Sequence, residues 1–382
     1  MLKNKIYKYF SIEIIKSFLT ILFAFTAIAW TVRAVNFLDL VVENGHSVKT
    51  YFLFSLLNMT NILTKFIPLS FLLALMMSIL KFQRQNELII LWSAGLNKIK
   101  LVNLFFLLSL ITLLIQLCFS SFVTPNALNK SRQLIRSSDL DSISFIIKAN
   151  DFSDSFKNVT FFVEKRNSQN EMENIFIRDE TNAFKNLVNN EENFSNTTII
   201  AEKGLIDNEN LILMNGLIQS QNKLGELSNV NFSKTVLKVA SLVPRTITTP
   251  KLQETPTSSL MKCLLIIKDK NFNKELSNCP ESDLKKDVIE TMSRRIGMPI
   301  YIPVITLISC FLLVSKRSSK YKFFSKYIYF FISFLILVLA EVLVRYSGFS
   351  DTNTIAYFSI PIILIPLVYI FLVKKFQFEK VK

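Results

Sequence analysis

Six long apolar stretches constrain this chain more than any other feature; five are free of charged residues and one is interrupted only by Lys65. They are Ser17–Val32, Thr50–Thr64 continued by Phe66–Leu80, Leu101–Asn129, Ile296–Ser315, Tyr327–Ala340 and Thr352–Val373. A helix needs about 20 residues to cross the ~30 Å hydrocarbon core of a bilayer. The first and fifth stretches reach that length only if their boundary charges lie at the interface or snorkel toward it. The sequence therefore predicts an integral membrane protein with six transmembrane helices.

The net charge of +15 is distributed unevenly along the chain. Lysine and arginine are frequent before the first stretch, between the second and third, between the fourth and fifth, and after the sixth. The short connections on the other side carry few basic residues. Basic loops remain in the cytoplasm, so both termini are predicted to be cytoplasmic. A basic stripe for nucleic acid does not fit this distribution, and no nucleic acid partner is predicted.

A polar, asparagine-rich insert lies between Pro125 and about Arg295, outside the cytoplasm by alternation. Its alternating segments predict strands at Val159–Glu164, Asn174–Arg178, Thr197–Glu202, Leu211–Met214 and Val230–Val239, with turns at Lys203-Gly204, Asp207-Asn208 and Asn215-Gly216. Short strands at this spacing favour a sandwich or a jelly roll. The predicted organisation is three helices in residues 1–124, a jelly-roll-like domain in 125–295 with a helical connector at about 257–293, and three helices in 296–382.

The loop between the second and third stretches predicts a short cytoplasmic helix at about residues 83–96. Leu88, Leu91 and Trp92 lie on one face of it, Glu87 lies beside them, and Gly95 is a natural stop. An amphipathic helix between two membrane spans can lie on the bilayer or dock into a groove of a soluble partner. The residues alone favour neither alternative.

Five cations violate the basic-inside trend and share the depth of the outer head groups: Arg33, Lys65, Arg294, Arg295 and Arg345. Cations gathered at that level can bind lipid phosphates. The competing interpretation is ordinary snorkelling at the interface, with Glu341 pairing with Arg345 at helical i,i+4 spacing. Both alternatives remain open at the level of sequence.

The sequence also lacks several kinds of site. No phosphate-binding G-x-x-x-x-G-K-[ST] loop occurs, and the single histidine, His46, makes histidine-based metal sites or Ser-His-Asp catalysis improbable. No catalytic residue, metal site or cofactor is predicted. Cys263 and Cys279 lie in the exported insert, where a disulfide between them is chemically allowed.

An ordered set of motifs resembles the LptF/LptG permease family, which exports lipopolysaccharide. The segment Glu87–Gly95 is similar to the family's E-L-x-x-[LM]-x-[AS]-[AS]-G motif, and Ile67–Ser70 to its l-P-l-[AS] signature. Further similar segments are Asn158–Glu164 with Asn174–Asp179, Ala201–Gly204, Leu213–Gly216 and the R-x-x-x-P entry at Ser293–Pro299. The insert strands resemble the LptF branch more than the LptG branch. Lys65 departs from the pattern, because the family is expected to have a neutral residue there.

The resemblance implies a transport subunit rather than an enzyme, in the inner membrane of a Gram-negative bacterium. Such a permease pairs with a second, LptG-like permease, and an LptB-like cytoplasmic ATPase dimer docks on the Glu87–Gly95 helix. The complex extracts lipopolysaccharide from the outer leaflet and passes it to a periplasmic bridge of LptC-like and LptA-like proteins.

Two other classes of membrane protein compete with this interpretation. A force-transmitting ABC permease of another kind usually has four spans, with its outer domain after the first. A membrane enzyme acting on lipid-linked glycans would need clustered acids or a histidine at the outer face, where only Asp39, Glu43, His46 and Asp351 occur. The span count and the position of the insert distinguish the first class from this chain.

Single cysteines introduced into a cysteine-free background test the predicted sidedness. A thiol reagent that does not cross membranes should modify Asn215→Cys in right-side-out spheroplasts, because the insert is predicted outside the cytoplasm. Lys98→Cys should react only after permeabilisation. The opposite pattern of labelling would contradict the topology.

Overall fold

The structure is a computed structural model that describes residues 2–38, 41, 47–146, 149–156, 159–167, 171–180, 194–207, 210–222, 227–238, 251–268, 284–314 and 319–381. The chain forms two compact units. The first, called here the helical unit, comprises residues 1–32, 57–129 and 251–382. The second, called the sheet unit, comprises residues 33–56 and 130–250.

Long helices form wherever the sequence is apolar, because a backbone surrounded by hydrocarbon must satisfy its own hydrogen bonds. The first half contains α1 (Leu2–Asn36), α2 (Val48–Arg84), α3 (Glu87–Ser93), α4 (Lys98–Cys118), a π-helical turn (Phe119–Val123) and α5 (Thr124–Ile146). The second half contains α6 (Thr257–Lys268), α7 (Leu284–Ser309), a 3-10 turn (Cys310–Leu313), α8 (Ser319–Ser347) and α9 (Asp351–Val381).

Six helices among the described residues are long and apolar enough to cross a membrane, as predicted. They are Lys5–Asn36, Val48–Arg84, Lys98–Ile135, Lys286–Leu313, Lys326–Ser347 and Asp351–Gln377. The first and fifth spans reach their length because the helices continue through the boundary charges, which do not end them. The second and fourth spans are central: 67% and 83% of their most apolar stretches are buried.

The core of the helical unit is apolar throughout and joins the spans to the short helix α3. It includes Phe10, Phe82, Leu88, Phe105 and Ile302, each at most 3% exposed. Helices approach closely at Gly297 in the fourth span, where an added Cβ would lie 2.2 Å from Cε1 of Tyr357. The fourth and sixth spans therefore pack closely only because position 297 has no side chain.

The described residues of the insert form six antiparallel strands that pair in chain order as a meander. They are β1 (Phe152–Phe156), β2 (Val159–Arg166), β3 (Glu171–Asp179), β4 (Phe194–Asp207), β5 (Asn210–Asn222) and β6 (Leu227–Lys238). The predicted β domain between the third and fourth spans is confirmed. Its described strands form a single sheet in sequential order, and strand β1 was not predicted.

One face of the sheet forms the core of the insert. In β3 and β5 the alternation of buried and exposed residues shifts by one position part-way along the strand. In β3 the buried residues are Met172 and then Ile175; in β5 they are Leu213 and then Ile218. Between them lie Asn174 and Asn215, with φ of 52° and 51°. Asparagine tolerates this left-handed conformation, which ordinary strand residues avoid. The two residues thus allow these strands to keep their apolar side chains on the buried side after the shift.

The turns predicted at Lys203-Gly204 and Asn215-Gly216 are wrong, because both dipeptides lie within strands. The turn predicted at Asp207-Asn208 stays a prediction, because Asn208 lies outside the described residues. Both glycines serve close packing. An added Cβ at Gly204 would lie 2.3 Å from Cδ1 of Ile175, and one at Gly216 would lie 2.2 Å from the carbonyl oxygen of Ile200. Glycine at these positions marks close packing across the sheet.

Candidate functional site

A cavity of about 320 Å³ lies among the second, third, fourth and fifth spans. Its wall includes the side chains of Asn61, Thr64, Lys65, Gln116, Ser120 and Thr124. The hydroxyl oxygens of Thr64 and Thr124 are 2.8 Å apart, and Gln116 has a buried Oε1 with no hydrogen-bond partner among the described residues. Polar groups within spans are unfavourable unless they serve a site or find partners. This cavity is therefore the candidate substrate site of the helical unit.

Three of the five predicted lipid-binding cations line this cavity: Lys65, Arg294 and Arg295. The other two do not. Arg345 is exposed near the end of α8, and Arg33 is exposed in the last turn of α1, within the sheet unit. The structure thus gathers three of the cations at one cavity.

Arg294 is held by two carboxylates. Its Nη2 donates to Oε1 of Glu290 one turn earlier at 3.1 Å, and its Nη1 donates to Oε1 of Glu341 on the fifth span. The expected pair between Glu341 and Arg345 is therefore wrong, because Glu341 pairs with an arginine of the neighbouring helix. A guanidinium between two carboxylates is the stronger arrangement, since its planar fork offers several donors in fixed directions.

Arg295 is buried, at 6% exposure, and its hydrogen bonds go to protein groups. Nη1 donates to the Thr257 hydroxyl at 2.7 Å. Nη2 lies 2.9–3.2 Å from the carbonyl oxygens of Leu252, Gln253 and Thr255. A guanidinium used in this way has little left to offer a lipid phosphate. Of the three cations at the cavity, Lys65 is the one with an exposed side chain.

The short helix α3 follows α2 after a break at Asn86, whose φ is 57°, and ends before Gly95, whose φ is 77°. Leu88 is buried, and Leu91 and Trp92 are partly buried against the core of the helical unit. The apolar residues that α3 exposes are Ile89 and Ile90, at 62% and 63%. The face predicted to dock a partner thus faces the spans, while two isoleucines that the sequence analysis left out face outward.

Glu87 is tied to the first helix. The hydroxyl of Tyr9 donates to Oε1 of Glu87 at 3.0 Å, and Lys81 at the end of α2 pairs with Glu13. A groove of about 340 Å³ runs between α1 and α3 and is lined by Lys5, Ile6, Tyr9, Phe10, Glu87, Ile90 and Leu91. No local signal marks Tyr9 as a partner of Glu87, because the two are 78 residues apart.

Several positions of the sequence analysis lie outside the described residues, among them Asp39, Glu43, His46 and Cys279. Cys263, in α6, is disulfide-bonded. Its predicted pairing with Cys279 stays a prediction.

Comparison with known proteins gives two matches. The family described as lipopolysaccharide export system permease LptF/LptG matches residues 8–375. An uncharacterized protein of Rickettsia prowazekii (strain Madrid E) is 26% identical over 176 residues, which are 46% of this chain. The matched region spans about half of that relative, 49% of its length.

The Arg294–Glu341 pair gives a stability prediction. Glu341→Gln should lower the free energy of unfolding by about 1–3 kcal/mol, because Arg294 keeps only one carboxylate partner in a largely apolar setting. Titration with SDS in mixed micelles measures the change. Arg345→Gln is the matched control and should shift stability by no more than about 0.5 kcal/mol. Equal losses in both variants would contradict the observed pairing.

Proposed function

Because the chain belongs to the family of lipopolysaccharide export system permeases LptF/LptG, we propose that it is the permease subunit of an ABC transporter that extracts lipopolysaccharide from the outer leaflet of the inner membrane. The family match over residues 8–375 is the observation that carries the proposal. The six apolar helices and the family indicate an inner-membrane protein. The basic loops support cytoplasmic termini in a Gram-negative cell, and the insert strands support the LptF branch.

Energy comes from a separate cytoplasmic ATPase dimer, LptB-like in kind. The sequence has no phosphate-binding loop of its own, and α3 offers this partner a surface. Ile89 and Ile90 are adjacent, exposed and outside the predicted membrane stretches. Exposed apolar side chains on a short helix suit the groove of a protein partner. Leu88 and Trp92 support the same function from inside, by anchoring α3 to the spans.

The lipid phosphates of lipopolysaccharide are proposed to meet Lys65. Its side chain is exposed and lines the cavity. An ammonium is a compact donor that suits phosphate oxygens. Arg33 and Arg345 are exposed at the ends of their helices and remain proposed phosphate contacts, whereas Arg294 and Arg295 support the cavity wall.

A second, LptG-like permease is proposed to cover part of the remaining apolar surface. Only 22%, 22% and 17% of the most apolar stretches of the first, fifth and sixth spans are buried within the chain. Such faces need lipid or another membrane protein as a neighbour. Two permeases that enclose a cavity would provide both kinds of neighbour, protein at their contact and lipid in the cavity.

Delivery is proposed to proceed through the sheet. The sheet has one apolar face, and β1 and β6 are its first and last described strands. An end strand offers unpaired backbone groups to a further strand, which is how LptC-like and LptA-like bridge proteins would extend it.

Affinity purification of the tagged chain in mild detergent should recover an ATPase and a second six-span permease in stoichiometric amounts. Ile90→Asp should lose the ATPase while the two permeases remain together, because a carboxylate would enter an apolar contact. Leu91→Asp is the contrasting variant: it should lower the thermal stability of the permease itself, since Leu91 packs inward. Full ATPase recovery with Ile90→Asp would refute docking on this face.

Lipid recognition is tested by charge reversal. Lys65→Glu should leave the complex assembled but abolish the stimulation of ATP hydrolysis by lipopolysaccharide, because a carboxylate repels phosphate. The measurement is the hydrolysis rate in nanodiscs with and without lipopolysaccharide. Lys262→Glu reverses an exposed lysine of α6 outside the cavity and should keep the stimulation. Unchanged stimulation in Lys65→Glu would remove Lys65 from the site.

A further inference from the structure

Arg295 donates hydrogen bonds to a segment of the chain that leads from the sheet unit back to the spans. The segment Lys251–Thr257 directly follows Pro250, the last residue of the sheet unit. It is called the connector below, and it ends where the helical connector predicted at about 257–293 begins. Three carbonyl oxygens and one hydroxyl of the connector accept hydrogen bonds from the single guanidinium of Arg295. Hydrogen bonds from a charged donor are roughly twice as strong as neutral ones. One side chain of the fourth span therefore fixes the path of the returning chain.

The same connector is bonded to the third span. The hydroxyl of Thr257 accepts from Arg295 and donates to the carbonyl oxygen of Ser121 at 2.5 Å. The hydroxyl of Ser120 in turn donates to the carbonyl oxygen of Arg295 at 2.8 Å. Arg295, Thr257, Ser120 and Ser121 thus close a ring of hydrogen bonds among the third span, the fourth span and the connector, all within the helical unit.

Ser120 and Ser121 belong to the π-helical turn Phe119–Val123. A π-helical turn alters the normal bonding of helical carbonyls and is frequent at functional sites. This turn lies just before Asn129, where the helical unit ends and the chain enters the sheet unit. The ring therefore joins the place where the chain leaves the spans for the insert to the place where it returns to them.

Apolar contacts support the connector from the other side. Leu260 of α6 is buried with Val288 and Met292 of α7, and Leu252 packs against this cluster. The connector and the start of the fourth span are therefore packed against each other.

We propose that Arg295 is a positioning residue that makes the connector a stiff joint, so that rearrangement of the third and fourth spans is passed to the sheet unit. This inference rests on the proposed function, in which ATP hydrolysis at α3 must drive lipid movement on the opposite side of the membrane. A slack linker would absorb such a motion, whereas a joint bonded to two spans transmits it. Arg295 thus couples the spans to the sheet unit and does not itself contact lipid.

The test uses the whole complex in liposomes of phosphatidylethanolamine, phosphatidylglycerol and lipopolysaccharide. Two quantities are measured: the lipid delivered to a soluble bridge protein per ATP hydrolysed, and the change in deuterium uptake of residues 159–179 when ATP and vanadate are added. The variants are Arg295→Gln and Thr257→Val; the second keeps the guanidinium and its three carbonyl partners but removes the Thr257 hydroxyl, with its bonds to Arg295 and to Ser121 of the π-helical turn. Lys262→Gln is the matched control, since it removes an exposed charge from the adjacent helix α6.

Arg295→Gln should deliver at least about fivefold less lipid per ATP hydrolysed, within the usual range of coupling between sites. It should also lose the nucleotide-dependent change in deuterium uptake. Thr257→Val should show the same defects in smaller measure, which keeps the test valid if Arg295→Gln fails to fold. The control should match wild type.

The joint is refuted if folded Arg295→Gln and Thr257→Val keep the wild-type lipid-to-ATP ratio and the nucleotide-dependent uptake. A failure of the proposed function gives a different result. In that case the wild-type complex delivers no lipid, and the deuterium uptake alone decides whether Arg295 couples the two units.

Discussion

The hydrocarbon interior of a membrane offers no hydrogen-bond partner, and this constraint accounts for most of the helical unit. Backbone groups there must bond within helices, and ionic groups must find partners among other spans. Arg294 shows the result: it lies in the fourth span, the most buried of the six, and is held between Glu290 and Glu341. Once such groups are satisfied by protein, the apolar spans can pack closely around them, as at Gly297 and Tyr357.

Because of the same constraint, the outer cations have different roles. Arg295 uses its guanidinium to hold the connector, Arg294 joins two spans, and Lys65 has an exposed side chain that lines the cavity. A lipid phosphate would compete poorly for arginines that already bond carboxylates and carbonyls. Charge at the right depth is thus a weak guide to binding until the protein partners of each charge are known.

The short helix α3 shows where pattern reading reaches its limit. Its amphipathic pattern predicts a helix at about residues 83–96, and the observed helix covers Glu87–Ser93, with Leu88, Leu91 and Trp92 packed together against the spans. The pattern alone gives no indication of what that face contacts. Because α1 and the ends of the neighbouring spans lie beside α3, the larger apolar face packs inward, and Ile89 and Ile90 remain outside. The glycines of the sheet give a similar lesson, since a residue typical of turns is equally suited to close packing.

The sequence by itself determined the number of spans, the position of the insert and its β character, because these follow from local hydropathy and alternation along the chain. Its motifs also pointed to the LptF/LptG family, which matches nearly the whole chain. Only the tertiary structure decided which carboxylate pairs with Arg294, what Arg295 holds and which isoleucines α3 exposes. Each of those outcomes depends on groups from helices far apart in sequence, such as Glu341 and Thr257, and periodicity within one segment carries no information about them.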